Sequence, residues 1–230
     1  MRVVLEDVLL GRGGFYLRAN GVFEEGVHLV SGRIGSGKST LALTVAGVFP
    51  VREGRISREG VTTSLLTLQF PEHQVTTPTI GGEIASWGVE PVRVLGRVGP
   101  ALDGARDPLT LSRGELKRLQ LFSALAKRPD LLLMDEPFSS LDCRSRRELF
   151  SELGGRRGLV TIIFSHNTGP LPRIDRLWEI DGGTLVHLGS PPAAIRAWKA
   201  PPPYLKGLVA RGIIPDNISM EDAEEAMWRI

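Results

Sequence analysis

Nine residues, GRIGSGKST from Gly32 to Thr40, carry chemistry in their types and spacing. Glycines at 32, 35 and 37 let backbone N–H groups converge on one point, and a helix starting at Lys38 would aim its positive end there. Gly32, Gly37, Lys38 and Ser39 fit the spacing of a phosphate-binding loop, in which the lysine reaches the terminal phosphates and the serine hydroxyl ligates Mg2+. Gly35, Ser36 and Thr40 complete the cradle. A second stretch, LLLMDEP at 131–137, reads as a buried strand that delivers two carboxylates to its C-terminal edge, where open α/β sheets hold ligands. Asp135 would hold Mg2+ through water, and Glu136 would take a proton from an attacking water.

Two further polar residues end apolar strands. His166 follows TIIFS, where it would donate to a terminal phosphate or hold Glu136 in line. Gln69 ends SLLTLQ, where it would touch the metal and the reacting water. His28, His73 and His187 have no such setting and are read as structural. The stretch LSRGELKRLQ at 111–120 is ambiguous on its own terms. It is either a helix capped by Ser112 with Glu115 in its first turn, or a phosphate-binding turn with an arginine in place of a glycine.

The elements that must position these residues follow from periodicity and punctuation. Strands are expected at Val3–Leu10, Gly26–Ser31, Gly54–Ser57, Ser64–Gln69, Leu131–Asp135 and Leu159–Ser165. A helix follows the glycine loop, with Leu41, Val45 and Val48 on one face. Prolines and glycines crowd the stretch from Phe70 to Thr110, with short helices at Ile80–Trp87 and Pro91–Val98. A longer helix spans Arg113–Ala126 and another begins near Arg144. WEIDGGTLVHLG reads as a hairpin. Continuous apolar strands alternating with helices predict a mostly parallel sheet covered on both faces. The division expected is a main domain over 1–200, with an inserted helical subdomain at about 70–128, and a helical extension over 201–230 that starts at a proline run. In that extension Ser219 should cap a helix whose apolar face is Met220, Ala223, Met227 and Ile230.

Bulk composition narrows the function classes. The chain has 230 residues, 42% hydrophobic and 23% charged, with a net charge of +2, so nothing points to nucleic acid as a partner. One cysteine, Cys143, allows no disulfide framework. No apolar run approaches the ~18 residues of a membrane span.

Taken in order, the loop at 32–40, Gln69, LSRGE at 111–115, LLLMDEP, SSLD at 139–142 and His166 resemble the motif set of ATP-binding-cassette ATPases over roughly residues 1–190. Within that superfamily, LQFPEHQ followed by TIGGEIASWG is similar to the ATPase subunits of energy-coupling-factor transporters. The resemblance implies an α/β phosphate-loop nucleotide-binding domain with an antiparallel β part, and ATP and Mg2+ as cofactors. It implies a head-to-tail pair with a second such subunit, homo- or heterodimeric. Ser112 and Gly114 of one subunit would complete the phosphate cage of the other, and Asp142 would couple the two sites. It implies an integral membrane transporter subunit seated on the Gln69–Trp87 segment, at the cytoplasmic face of the membrane, and import of a metal ion or vitamin. Extensions at the C-terminus of such subunits often pair them.

Departures from the pattern set further expectations. The base-stacking aromatic of the family has no clear counterpart, and Arg12 or Tyr16 are the stand-ins, with Phe15 close by. Arg113 takes a glycine's place, tolerable if its backbone needs no positive φ, and would add charge facing the partner's ATP. The competing class is a soluble cassette ATPase acting as a nucleotide-gated scaffold in DNA or ribosome maintenance, though the coiled-coil insertions, tandem cassettes or basic stripe of such proteins are not in the sequence. A small-molecule kinase would need a lid and an acceptor site in place of LSRGE and His166.

Overall fold

The computed structural model describes residues 1–12, 14–99, 102–166 and 169–229, leaving the Arg12 side chain and Ile230 outside the described residues. Among the described residues nine strands form one sheet in the order β4-β1-β2-β9-β8-β3-β7-β6-β5. Its core is parallel: β3 (Gly26–Gly32), β5 (Ser64–Thr67), β6 (Leu131–Asp135), β7 (Val160–Ser165) and β8 (Arg176–Asp181). The other end is largely antiparallel, with β1 (Arg2–Arg12) between β2 (Phe15–Phe23) and β4 (Glu53–Glu59), and β9 (Thr184–Gly189) folded back on β8 through Gly182 and Gly183, both at positive φ. Of these strands only β2 lacks a counterpart among the sequence expectations.

The apolar runs of the central strands are explained by cover on both faces. Leu131 and Leu133 of β6 face α1 (Lys38–Val45) together with the antiparallel strands. Leu132 and Met134, on the opposite face, pack with α2 (Ile80–Ser86), α3 (Val92–Val98), α4 (Arg113–Lys127) and α5 (Cys143–Gly154). Each such side chain taken fully from water contributes roughly 1.5–3 kcal/mol before entropy is counted. The first helix stops earlier than periodicity suggests: it ends at Val45, and Val48 lies beyond it, 61% exposed.

The prolines at 201–203 mark a turn in the chain, and the helices beyond them pack into the same core. After α6 (Ala193–Ala197), Leu205 and Leu208 of α7 (Pro203–Val209) join the cluster that holds Leu171 and Ile174, as do Ile218 and, from α8 (Met220–Trp228), Ala223. Asn217 pairs with the Ile174 backbone in both directions, at 3.0 and 2.9 Å, and Arg173 reaches Asp222 at 2.8 Å. Ser219 caps α8 as its type foretells, accepting from the Asp222 N–H. The buried face differs from expectation, however, being Ala223 and Ala226, with Met220 and Met227 turned outward. Among the described residues no helix is long and apolar enough to cross a membrane.

Candidate functional site: a phosphate cradle at the C-terminal edge of the sheet

Four adjacent parallel strands, β3, β7, β6 and β5, end at one edge and deliver there the glycine loop, His166, the Asp135–Glu136 pair and Gln69. Between them lies a cavity of about 370 Å3 lined by Phe15, Gly35, Lys38, Gln69, Glu136 and His166, among others. Apart from Phe15, these positions were expected from motif and strand ends, and the fold brings them together.

The loop is shaped by its glycines. Gly35 and Gly37 have φ of 79° and 98°, and a Cβ on Gly37 would sit 2.4 Å from the Phe15 ring. Lys38 is 6% exposed, and its Nζ donates to the carbonyls of Gly32 (2.7 Å) and Arg33 (3.0 Å), with Glu136 Oε1 4.0 Å away. Burial pulls this ammonium below its ordinary pKa, and Glu136 and Asp135 pull it back.

Glu136 is the most constrained carboxylate in the cavity. Its backbone sits in the left-handed region at φ 47°, a conformation that non-glycine residues adopt mainly where surrounding structure enforces it. Its N–H donates to the Phe164 carbonyl at 2.9 Å. Its Oε1 accepts from the His166 N–H at 2.9 Å and faces His166 Nδ1 at 2.7 Å, while Oε2 accepts from Ser165 Oγ at 3.0 Å. Opposite an ionised carboxylate, which only accepts, Nδ1 carries the imidazole proton. Of the two placements the sequence left open for His166, the geometry is that of holding Glu136.

Asp135 tests whether a divalent cation fits. It is 4% exposed, burial pushes its carboxyl above the ordinary range with the Ser39 side chain offsetting part of that, and its buried Oδ1 has no hydrogen-bond partner. An orphaned carboxylate oxygen beside a serine hydroxyl suits a cation that keeps several waters and takes few protein ligands. The Asp135 carboxylate and the Ser39 hydroxyl therefore fit a hydrated divalent cation such as Mg2+.

Phe15 answers the question of the aromatic wall. Its ring lies on Gly37 and lines the cavity, whereas Tyr16, on the opposite face of β2, is half exposed with its hydroxyl accepting from Arg52 at 3.3 Å. Tyr16 therefore stands away from the loop, and the Arg12 side chain lies outside the described residues. Strand parity pointed to Phe15: Leu17 and Ala19, two and four residues on, are buried.

Ser112, Gly114 and Asp142 are not part of this cavity. Ser112 heads α4 in a reciprocal cap, its hydroxyl donating to Glu115 Oε2 at 2.7 Å while accepting from the Glu115 N–H at 3.3 Å. Gly114 approaches the Ser140 carbonyl so closely that a Cβ would lie 2.8 Å from it. Asp142 caps α5 by accepting from the Ser145 N–H at 2.7 Å. Arg113 has the ordinary helical backbone its position required, but its charge turns inward along its own chain. Its Nη2 lies 3.4 Å from Glu72 Oε1 and its guanidinium 5.9 Å from the Phe70 ring centre.

Sequence reasoning missed the residues that fix the Gln69 segment. Lys117, 1% exposed, donates from Nζ to the carbonyls of Leu68 (2.7 Å) and Gln69 (3.2 Å) and reaches that of Asp135 at 3.4 Å. Burial lowers its pKa to about 8. Gln74 returns to the same strand end, accepting from the Leu68 N–H and donating to the Leu66 carbonyl. Glu83, also buried, accepts from the N–H groups of Thr76 and Thr77 and from Trp87 Nε1. The signal available was a lysine and a glutamine, 117 and 120, on the otherwise apolar side of α4.

Comparison with known proteins bears on the family and the fold. No family model matches the chain. A putative ABC transporter ATP-binding protein of Methanosarcina mazei is 31% identical over 230 aligned residues, spanning 87% of this chain and 80% of its own length. The energy-coupling factor transporter ATP-binding protein EcfA1 of Thermotoga maritima is 30% identical, spanning 83% and 82%. A solved ATP binding subunit of an ABC transporter superposes with a TM-score of 0.70 over 99% of this chain and all of its own, at 18% identity, which speaks to the fold. With a phosphate loop, two terminal carboxylates and a histidine assembled on the expected strand ends, and with relatives matched along most of both lengths, the chain belongs to the ATP-binding proteins of ABC transporters and is an ATPase of that family.

Proposed function

We propose that this chain is the ATP-hydrolysing motor of an energy-coupling-factor type importer, held at the cytoplasmic face of a membrane by a transporter subunit and paired with a second ATPase subunit. The observation that supports it is the separation of two half-sites. The cradle of Lys38, Glu136 and His166 is built within one chain, while Ser112 and Gly114 lie outside its cavity, at the head of another helix. A second subunit arranged head to tail supplies the missing half.

ATP enters with its phosphates over Gly35–Thr40, and Lys38 exchanges the carbonyls of Gly32 and Arg33 for phosphate oxygens. Mg2+, when bound, neutralises charge on the terminal phosphates. Gln69 and Glu136 hold the attacking water, Glu136 takes its proton, and His166 with Ser165 keeps that carboxylate aimed. Phe15 offers its face to the base. Ser112 and the Gly114 N–H of the partner subunit close the cage. The segment from Gln69 to Trp87, pinned by Gln74 and Glu83, receives the membrane subunit, and the imported solute is a metal ion or vitamin chosen there. The relatives named for energy-coupling factor transporters and the LQFPEHQ segment support this choice of transporter type.

Glu136→Gln tests the arrangement. With ATP and Mg2+ it should accumulate as a dimer by light scattering while phosphate release falls about 10²-fold or more. A species that stays monomeric at saturating ATP argues against the sandwich, and undiminished phosphate release removes Glu136 as the base.

A further inference from the structure

The helix that carries Ser112 grips the segment that carries Gln69. Arg113, Lys117 and Gln120 fall at positions i, i+4 and i+7 of α4 and so share one face. All three side chains reach into Leu68–Glu72. Arg113 meets Glu72 and Phe70, and Gln120 Nε2 donates to the Pro71 carbonyl at 2.5 Å. Lys117 lies between them on the carbonyls of Leu68 and Gln69, and touches that of Asp135 as well.

The three are unequal. The Arg113 side chain is 62% exposed, and such pairs hold little against water. Lys117 and Gln120 are buried, and an ammonium stripped of water needs its acceptors. A leucine would fill this place in the core without that cost, so packing alone does not account for a lysine. Every acceptor of Lys117 is main chain. What it fixes is therefore a path: where the backbone leaves β5 toward Gln69, and where it leaves β6 at Asp135. Those neighbouring strand ends form one side of the cavity.

We propose that Lys117 is a positioning residue of the ATPase, setting the Gln69 backbone against the Asp135–Glu136 strand end and tying both to α4, the helix headed by Ser112. The inference rests on Gln69 belonging to the site.

The test is a double-mutant cycle on steady-state turnover with Lys117→Met, Gln69→Ala and their combination, beside equilibrium ATP binding. Lys117→Met should lower kcat about 10²-fold, the scale of a small misplacement in an active site, and leave the ATP Kd within about two-fold, since Lys117 does not touch the phosphate loop. Added to Gln69→Ala, it should cost little more, because residues acting through one another are not additive. An arm that multiplies in full, or a Lys117→Met kcat within about two-fold of the parent, overturns the inference. If Lys117→Met does not fold, Lys117→Gln, whose side chain is too short to span the carbonyls of Leu68, Gln69 and Asp135 together, goes through the same cycle with the same criteria. Unchanged turnover in Gln69→Ala removes Gln69 from the site and this inference with it. An impaired Gln69→Ala beside an unimpaired Lys117→Met overturns the inference alone.

Discussion

The phosphate cradle and the head of α4 are opposite in character. In the cradle the polar groups are buried and incompletely met: Lys38, Asp135 and Glu136 are each at most 6% exposed, and Asp135 Oδ1 and Ser36 Oγ have no hydrogen-bond partner. At the head of α4 the groups are exposed and satisfied locally, Ser112 and Glu115 completing one another and Asp142 capping its own helix. A buried polar atom without a partner is costly, so the first region is strained toward a ligand. The second is at rest by itself and gains a ligand only by exchanging bonds it already has. In the arrangement proposed above, the first half would recognise nucleotide alone, and the second would engage it only when another subunit presents it.

Three substitutions press on that contrast, in falling order of expected effect. Gly114→Val puts side-chain atoms within contact of the Ser140 carbonyl and should cost turnover about 10²-fold or more, the scale of a lost oxyanion donor, while ATP binding to the isolated chain persists. Loss of that binding would mean the two halves are not independent. Lys38→Ala acts on the other half: removing a charged donor should weaken ATP binding about 10- to 100-fold in a titration with a fluorescent analogue, and an unchanged Kd would take Lys38 out of the phosphate site. Arg113→Gly should matter least. Its contact with Glu72 is exposed, of the kind worth at most ~1 kcal/mol, so turnover should stay within about two-fold. A collapse of activity would show that the guanidinium serves the partner's nucleotide after all.

What was legible in the sequence tracks the physics of each segment. Glycine loops and apolar strand ends announce themselves, because only a few residue types permit the turn or the double-sided burial; Gly32–Thr40, Leu131–Asp135 and Val160–Ser165 stand where expected. The strand Phe15–Phe23 carries a weak signature, because Arg18, Asn20 and Gly21 interrupt its alternation of apolar residues. For the same reason Phe15 was passed over beside Arg12 and Tyr16: without the strand there is no parity to say which ring faces inward. The grip of Lys117 on Leu68, Gln69 and Asp135 joins three distant segments through main-chain acceptors, which carry no side-chain signature at all. The helix at Met220–Trp228 stands where expected, but of the apolar face expected for it only Ala223 turns inward among the described residues, beside Ala226 and an Asp222 paired with Arg173.

Asn217 and the helices around it give the chain's last stretch a meaning that a proline run conceals. Its amide answers both the N–H and the carbonyl of Ile174, and Leu205, Leu208, Ile218 and Ala223 close one wall over Leu171 and Ile174. Leu171 follows His166 by five residues. Trimming the protein at its prolines would thus uncover Leu171 and Ile174, so a fragment shortened for convenience would lose part of the wall that backs the core near His166.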